Sequence, residues 1–157
     1  MNKVYMTPSG YKALEDELKN LKFVERPKIV EAIEEARALG DLSENAEYHA
    51  AKDKQGFIEG RIRELETKLS CAEVIDVTKL SGTSVKFGST VTICDEATDV
   101  ESTYKIVGVD EADIKKQLLS IEAPLAKKLI GKEVGDEVML DTPSGTKEYE
   151  ILEIKYI

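Results

Sequence analysis

Between Gly40 and His49 the chain reads Gly-Asp-Leu-Ser-Glu-Asn-Ala-Glu-Tyr-His, which sets two carboxylates, Asp41 and Glu44, three residues apart with the Ser43 hydroxyl between them. Two chemistries fit that spacing. In the first, Asp41 accepts from the backbone N–H of Glu44 while the Glu44 side chain reaches back, a capping box at the start of a helix. Acids there also suit the positive helix end. In the second, the pair is a half-built magnesium site. Mg²⁺ takes oxygen ligands in octahedral geometry and is usually held by one or two carboxylates, waters and substrate phosphates, so such a pair would need a partner to complete it. Delivered into a cavity already holding one metal on a phosphodiester, the acids could support a second metal that activates water and stabilises the leaving oxygen. The protein would then lend catalytic groups to another enzyme.

Long helices must carry this segment. From Thr7 to about Ala72 apolar residues recur at three and four spacing, the mark of helix. Thr7-Pro8 predicts an N-cap followed by proline at the first helical position, and Leu14, Leu18 and Leu21 form a stripe. Pro27 removes a hydrogen bond inside the pattern, so a kink or short break is expected there. Ile29, Ile33 and Ala36 carry the stripe on to Leu39, and Gly40 stands where a helix ends on a left-handed residue. Beyond the link, Ala51, Ile58, Ile62, Leu65, Leu69 and Ala72 repeat as a coiled-coil seam, with Gln55 a polar seam position. The expected result is an antiparallel hairpin, an arm of about 45 Å for roughly 30 residues per helix. Its tip is the Gly40–His49 segment.

The second half changes character. Short runs rich in Val, Ile, Thr and Tyr, at Ser89–Cys94, Thr103–Val109, Glu137–Leu140 and Glu148–Tyr156, predict a sheet. Asp76, Thr78 and Ser81-Gly82-Thr83-Ser84 interrupt the helical pattern and put the boundary near residues 76–80. The predicted fold is therefore α+β: a helical coiled-coil hairpin over 1–75, then an antiparallel sheet domain over 76–157 with a short helix near Ala123–Ile130.

Composition narrows the function. With 31 acids against 22 bases the net charge is −9, which argues against electrostatic wrapping of duplex DNA. The two cysteines, Cys71 and Cys94, have no metal or disulfide-framework spacing, and are expected to be reduced. A single histidine cannot build a multi-histidine metal site, and no phosphate-binding glycine motif occurs. The residues after Met1 lack the pattern of a targeting segment, and no apolar run reaches membrane-spanning length. The expected location is the cytoplasm, with no membrane partner. Of the remaining tip residues, His49 has no orienting partner at helical spacing and reads as a surface side chain, and Tyr48 falls in the seam register. The acidic run Asp95, Glu96, Asp99, Glu101 lacks EF-hand spacing and reads as a solvated turn.

The block Gly40–Lys52, continued by Gln55–Ile62, closely resembles the bacterial Gre transcript-cleavage factors, the GreA type in particular. The likeness extends to Met6-Thr7, Gly10 and Leu14, to Glu25-Arg26-Pro27, and to Ala123–Ala126 with Leu129–Lys132, so it spans essentially the whole chain. It implies a hairpin that enters the secondary channel of bacterial RNA polymerase when elongation has backtracked. The polymerase active site then hydrolyses the extruded RNA, leaving a new 3′ end. Asp41 and Glu44 match the family's two tip acids, catalytic groups that help hold the second Mg²⁺ inside the polymerase; no cofactor is tightly bound. Arg37 and Lys52 match basic positions that meet the RNA, Lys52 standing where many members carry arginine, and Ser43 is a lesser RNA-contact candidate. The second half resembles the family's FKBP-like domain, which docks at the channel rim. Its only aromatics, Phe87, Tyr104, Tyr149 and Tyr156, are thin material for a proline pocket. Ile121–Pro124 corresponds to the polymerase-contact stretch, making Glu122 and Pro124 the candidate contacts.

Three functional readings stay open on the sequence. The chain is a cleavage factor acting on the nascent RNA 3′ end, not itself an enzyme and monomeric when free. Alternatively it is a secondary-channel regulator that does not promote cleavage. In the third, the hairpin is a structural arm whose acids only cap a helix.

Overall fold

The computed structural model describes residues 2–157. They fall into two compact units, one built from Tyr11–Ala72 and the other from Lys3–Gly10 together with Glu73–Ile157. The first residues after the start thus fold with the second half of the chain.

The helical unit follows the apolar stripe. Helix α1 (Pro8–Asn20) starts as predicted, with Thr7 Oγ1 accepting from the Gly10 N–H at 3.1 Å. The irregularity expected near Pro27 is a π-helical turn over Leu21–Glu25, in which Arg26 N–H donates to Leu21 O. The wider ring accommodates a proline that cannot donate inside the helix, and α2 (Arg26–Arg37) resumes with Pro27 in its first turn. Helix α3 spans Ala46–Ser70. Ile29 and Ile33 of α2 pack with Ile58 and Ile62 of α3, with Leu18, Leu21, Ala32, Tyr48 and Ala51 around them. The seam therefore holds through Leu65, which is fully buried, while Leu69 is only half-buried and Ala72 lies beyond the helix.

Charge reinforces the packing at the seam's flanks. Arg26 grips Glu59 through Nε and Nη2, both at 2.8 Å, and Arg61 grips Glu17 at 2.6 and 2.9 Å. These are planar bidentate pairs between helices, the geometry that sets register as well as adding energy. Glu59 is held below the usual carboxylate range by the hydrogen bond from Arg26.

In the other unit, strand β1 (Val4–Met6) pairs with β2 (Ala72–Val74). A five-stranded sheet runs in the order β5-β4-β3-β7-β6, from β3 (Thr90–Asp95), β4 (Glu101–Val107), β5 (Leu118–Ser120), β6 (Glu137–Thr142) and β7 (Gly145–Lys155). The predicted antiparallel sheet needs one correction: β5 runs parallel to β4, through Lys105–Leu118, Ile106–Leu119 and Val107–Ser120. A parallel neighbour cannot follow through a tight hairpin, and the connection here is made of 3₁₀ turns at Val109–Glu111 and Ile114–Lys116. Alternation decides which face is inside: Val91 and Ile93 are buried and alternate with half-buried Thr90 and Thr92, and join Val85, Ile106, Leu119, Val138 and Ile151. Ala126 and Leu129 of α4 (Pro124–Leu129) close that core, so the predicted short helix exists where proline can start it. Opposite Thr92 and Ile93 the β7 register slips by one residue. An apolar cleft of about 270 Å³ is lined by Tyr5, Ile75, Leu80, Lys86, Phe87, Ile121 and Ile130, with the Tyr5 and Phe87 rings 5.9 Å apart. Cys71 and Cys94 form no disulfide among the described residues.

Candidate functional site

The loop between α2 and α3 begins where helix geometry fails. Leu39 N–H turns back to Ala36 O at 3.1 Å, and Gly40 adopts φ +128°, a conformation strained for any L side chain. Asp41 follows, exposed, and its Oδ1 accepts from both the Ser43 N–H at 3.0 Å and the Ser43 hydroxyl at 2.9 Å. One carboxylate oxygen is thus fixed by a local turn. No described residue donates to Oδ2 of Asp41 or to either oxygen of Glu44, which is also exposed.

The capping box expected of Asp41 and Glu44 does not form. Asn45 is the N-cap of α3: its Oδ1 accepts from Tyr48 N–H at 3.0 Å, and its Nδ2 donates to Ala36 O at 2.6 Å. An amide can accept from the new helix and donate to the old one together, whereas a carboxylate can only accept. The consequence is chemical, because the cap is supplied by a neutral residue and the acids keep free oxygens. Starting at Ala46 rather than near Asp41, α3 has 25 residues and a length of about 37 Å, shorter than the expected arm.

Asp41, Glu44, Asn45 and Glu47 line one shallow concavity with Leu39 and Ala46. Glu47 lies in the first turn of α3 and escaped the sequence reading. So did the role of Asn45. Asn immediately before Ala46 and a helical run is itself a helix-start signal, masked by the Asp-x-x-Glu spacing just upstream. Among the described residues none of the three acids has a basic partner, which makes the concavity a place of negative potential with oxygen donors.

The structure brings Ser43 onto Asp41, and leaves Arg37 and Lys52 to either side. Arg37 is exposed in the last turn of α2, and Lys52 donates to Gln55 at 3.3 Å along α3. His49 is exposed, its Nε2 3.3 Å from Ser43 O and its ring edge-on to Tyr48 at 5.6 Å. In the other unit, Glu122 is exposed with its carboxylate 3.8 Å from Lys127 Nζ, and Pro124 opens α4.

Residues 4–74 match the family model described as "Transcription elongation factor, N-terminal", and residues 80–156 match "Transcription elongation factor, GreA/GreB, C-term". The chain belongs to the GreA/GreB family of transcription elongation factors. It is 63% identical over 156 residues to "Transcription elongation factor GreA" of Ruegeria pomeroyi and 58% identical over 156 residues to that of Maricaulis maris, covering 99% of each and 99% of itself. Among solved structures, GreA factor homolog 1 (Gfh1) of Thermus thermophilus is 28% identical with a TM-score of 0.45, over 98% of this chain and 99% of that one. No helix among the described residues is long and apolar enough to cross a membrane.

Proposed function

We propose that this protein rescues backtracked bacterial RNA polymerase: its hairpin enters the secondary channel and its tip stimulates cleavage of the nascent RNA near the 3′ end. The observation that carries this reading is the state of the tip acids. Asp41 and Glu44 stand exposed at the end of the hairpin with free carboxylate oxygens, because Asn45 has taken over the helix cap.

In this reading the chain is not an enzyme by itself. Asp41 and Glu44 add two carboxylates to those of the polymerase, and the hydrolysis takes place in the polymerase active site. A Mg²⁺ ion shared with that site would supply charge stabilisation and an activated water when bound. The residues present fit such an ion, since they offer only oxygen donors and carry no competing lysine or arginine. Asp41 is oriented by Ser43, so Ser43 serves the acid as well as any RNA that reaches it. Arg37, in the last turn of α2, and Lys52, in α3, are the basic residues that would meet a displaced RNA phosphate. Glu122 and Pro124 belong to the surface that meets the channel rim. The protein works in the cytoplasm and is monomeric when free.

Single-round RNA cleavage in a backtracked complex with Mg²⁺ tests the reading. Wild type is expected to shorten the RNA from its 3′ end, and an Asp41→Ala, Glu44→Ala variant shown to bind polymerase is expected to lose stimulation by about a hundredfold or more. Wild type that binds polymerase and leaves the RNA intact would make the protein a channel regulator instead. Failure to bind polymerase would sink both readings.

A further inference from the structure

We propose that Asn45 is a positioning residue for the tip carboxylates, pinning the last turn of α2 to the first turn of α3 and so fixing both ends of the loop that bears Asp41 and Glu44. This rests on the tip acting in transcript cleavage. The geometry is that of a two-ended clamp. One planar amide accepts from Tyr48 N–H at 3.0 Å and donates to Ala36 O at 2.6 Å. Ala36 is buried near the end of α2, its carbonyl already accepting from Leu39 N–H at 3.1 Å and taking the Asn45 amide as a side-chain donor from the other helix, and Asn45 is half-buried.

Nothing else does this at the tip. The apolar core of the hairpin ends with Ala36 and Tyr48, and the loop's own large apolar side chains, Leu39 and Leu42, are exposed. The loop's other side-chain hydrogen bonds among the described residues are local, Ser43 to Asp41 and His49 to Ser43, as are its backbone bonds from Gly40 to Arg37 and from Asn45 to Leu42. Among the described residues, Asn45 to Ala36 is the one side-chain hydrogen bond between the last turn of α2 and the start of α3. Without it, the loop would swing on its own turns. Two carboxylates that must meet a metal inside another protein's active site tolerate little of that, since a displacement of about 1 Å can cost a hundredfold in rate.

Substitutions separate the clamp from the cap. Serine and aspartate are as good as asparagine at an N-cap, so Asn45→Ser and Asn45→Asp keep the bond from Tyr48 and lose the amide that reaches Ala36. Serine adds no charge, which removes electrostatics as an explanation. In the full-length chain, thermal unfolding and polymerase affinity should stay near wild type for both variants. Amide hydrogen exchange over residues 38–44 should speed up, and cleavage at saturating factor should fall about tenfold or more with a raised Mg²⁺ requirement. Asn45→Ala should show the same cleavage defect plus a lower melting temperature. A pure capping role predicts the opposite pattern, with only Asn45→Ala affected. The proposal is overturned if serine and aspartate variants cleave normally, or if exchange over 38–44 is unchanged. It also falls if wild type does not stimulate cleavage, an outcome visible in the wild-type arm alone and therefore distinct from a failure of the clamp.

Discussion

Asp41 and Glu44 are held differently, and their replacement should register differently in stability. Asp41 anchors a turn through two hydrogen bonds from Ser43, whereas Glu44 makes none with the described residues. Asp41→Ala should cost about 0.5–1 kcal/mol, the worth of exposed local hydrogen bonds, and Glu44→Ala should lie within about 0.5 kcal/mol of wild type. Urea unfolding of the two single variants checks this, and equal losses near 1 kcal/mol would restore the capping box. The identity of the acids was readable from types and spacing alone. Their freedom was not, because Asp-x-x-Glu and Asn-Ala compete for the same helix start and only the three-dimensional position of Ala36 O decides between them.

At the scale of elements, packing should dominate the hairpin. Ile62 is buried against Ile29, Ile33 and Ile58, so Ile62→Ala should destabilise the helical unit by about 3 kcal/mol, read by the loss of helical circular dichroism on heating. The Arg26–Glu59 pair is more than a third exposed on both sides, and Arg26→Ala should lower the melting temperature far less than Ile62→Ala does. Around Gly10 a smaller change should cost more. A Cβ there would clash with the Glu111 carboxyl group, and Glu111 is held in place by Thr7 N–H at 3.0 Å, the Thr7 hydroxyl and Gly108 N–H at 3.1 Å. Gly10→Ala must displace that carboxylate, at a cost of about 2 kcal/mol in the melting of the sheet-bearing unit. The seam through Ile58, Ile62 and Leu65 was legible because a sustained heptad needs no partner information. Strand β5 was not: three residues, Leu118–Ser120, carry too little alternation to count, and a parallel pairing is set by the returning chain rather than by local pattern.

Over the whole molecule, the acidic excess is most concentrated in one place on the sheet. Glu96, Glu137 and Glu148 bring carboxylate oxygens within 4.8 Å of one another. Glu96 is pushed up to about 7, first by loss of hydration, then by its hydrogen bond with Glu148 and the charge of Glu137. A folded-state value above the ordinary 4.5 means the folded chain binds more protons than the unfolded one between those limits. Stability of this unit should therefore fall as pH rises from 4.5 through about 7, and Glu96→Gln should flatten that dependence. Urea midpoints across the range, wild type against variant, decide it, and parallel curves would remove the proton from the account. The division into residues 1–75 and 76–157 follows composition, which cannot register that Lys3–Gly10 folds with Glu73–Ile157. Thr7 and Glu111 are 104 residues apart, and no periodicity links them.

That separation sets an order of events on the ribosome. The segment carrying Tyr5 and Thr7 emerges before Glu111 and must wait for it, about 5–20 s at ordinary synthesis speeds, while the hairpin can close in the meantime. Removal of Lys3–Gly10 would therefore be felt in Glu73–Ile157, a part of the chain made well after it. Such a change would leave the Gly40–His49 loop untouched, and would unsettle the surface on which Ile121 and Phe87 share a cleft with Tyr5.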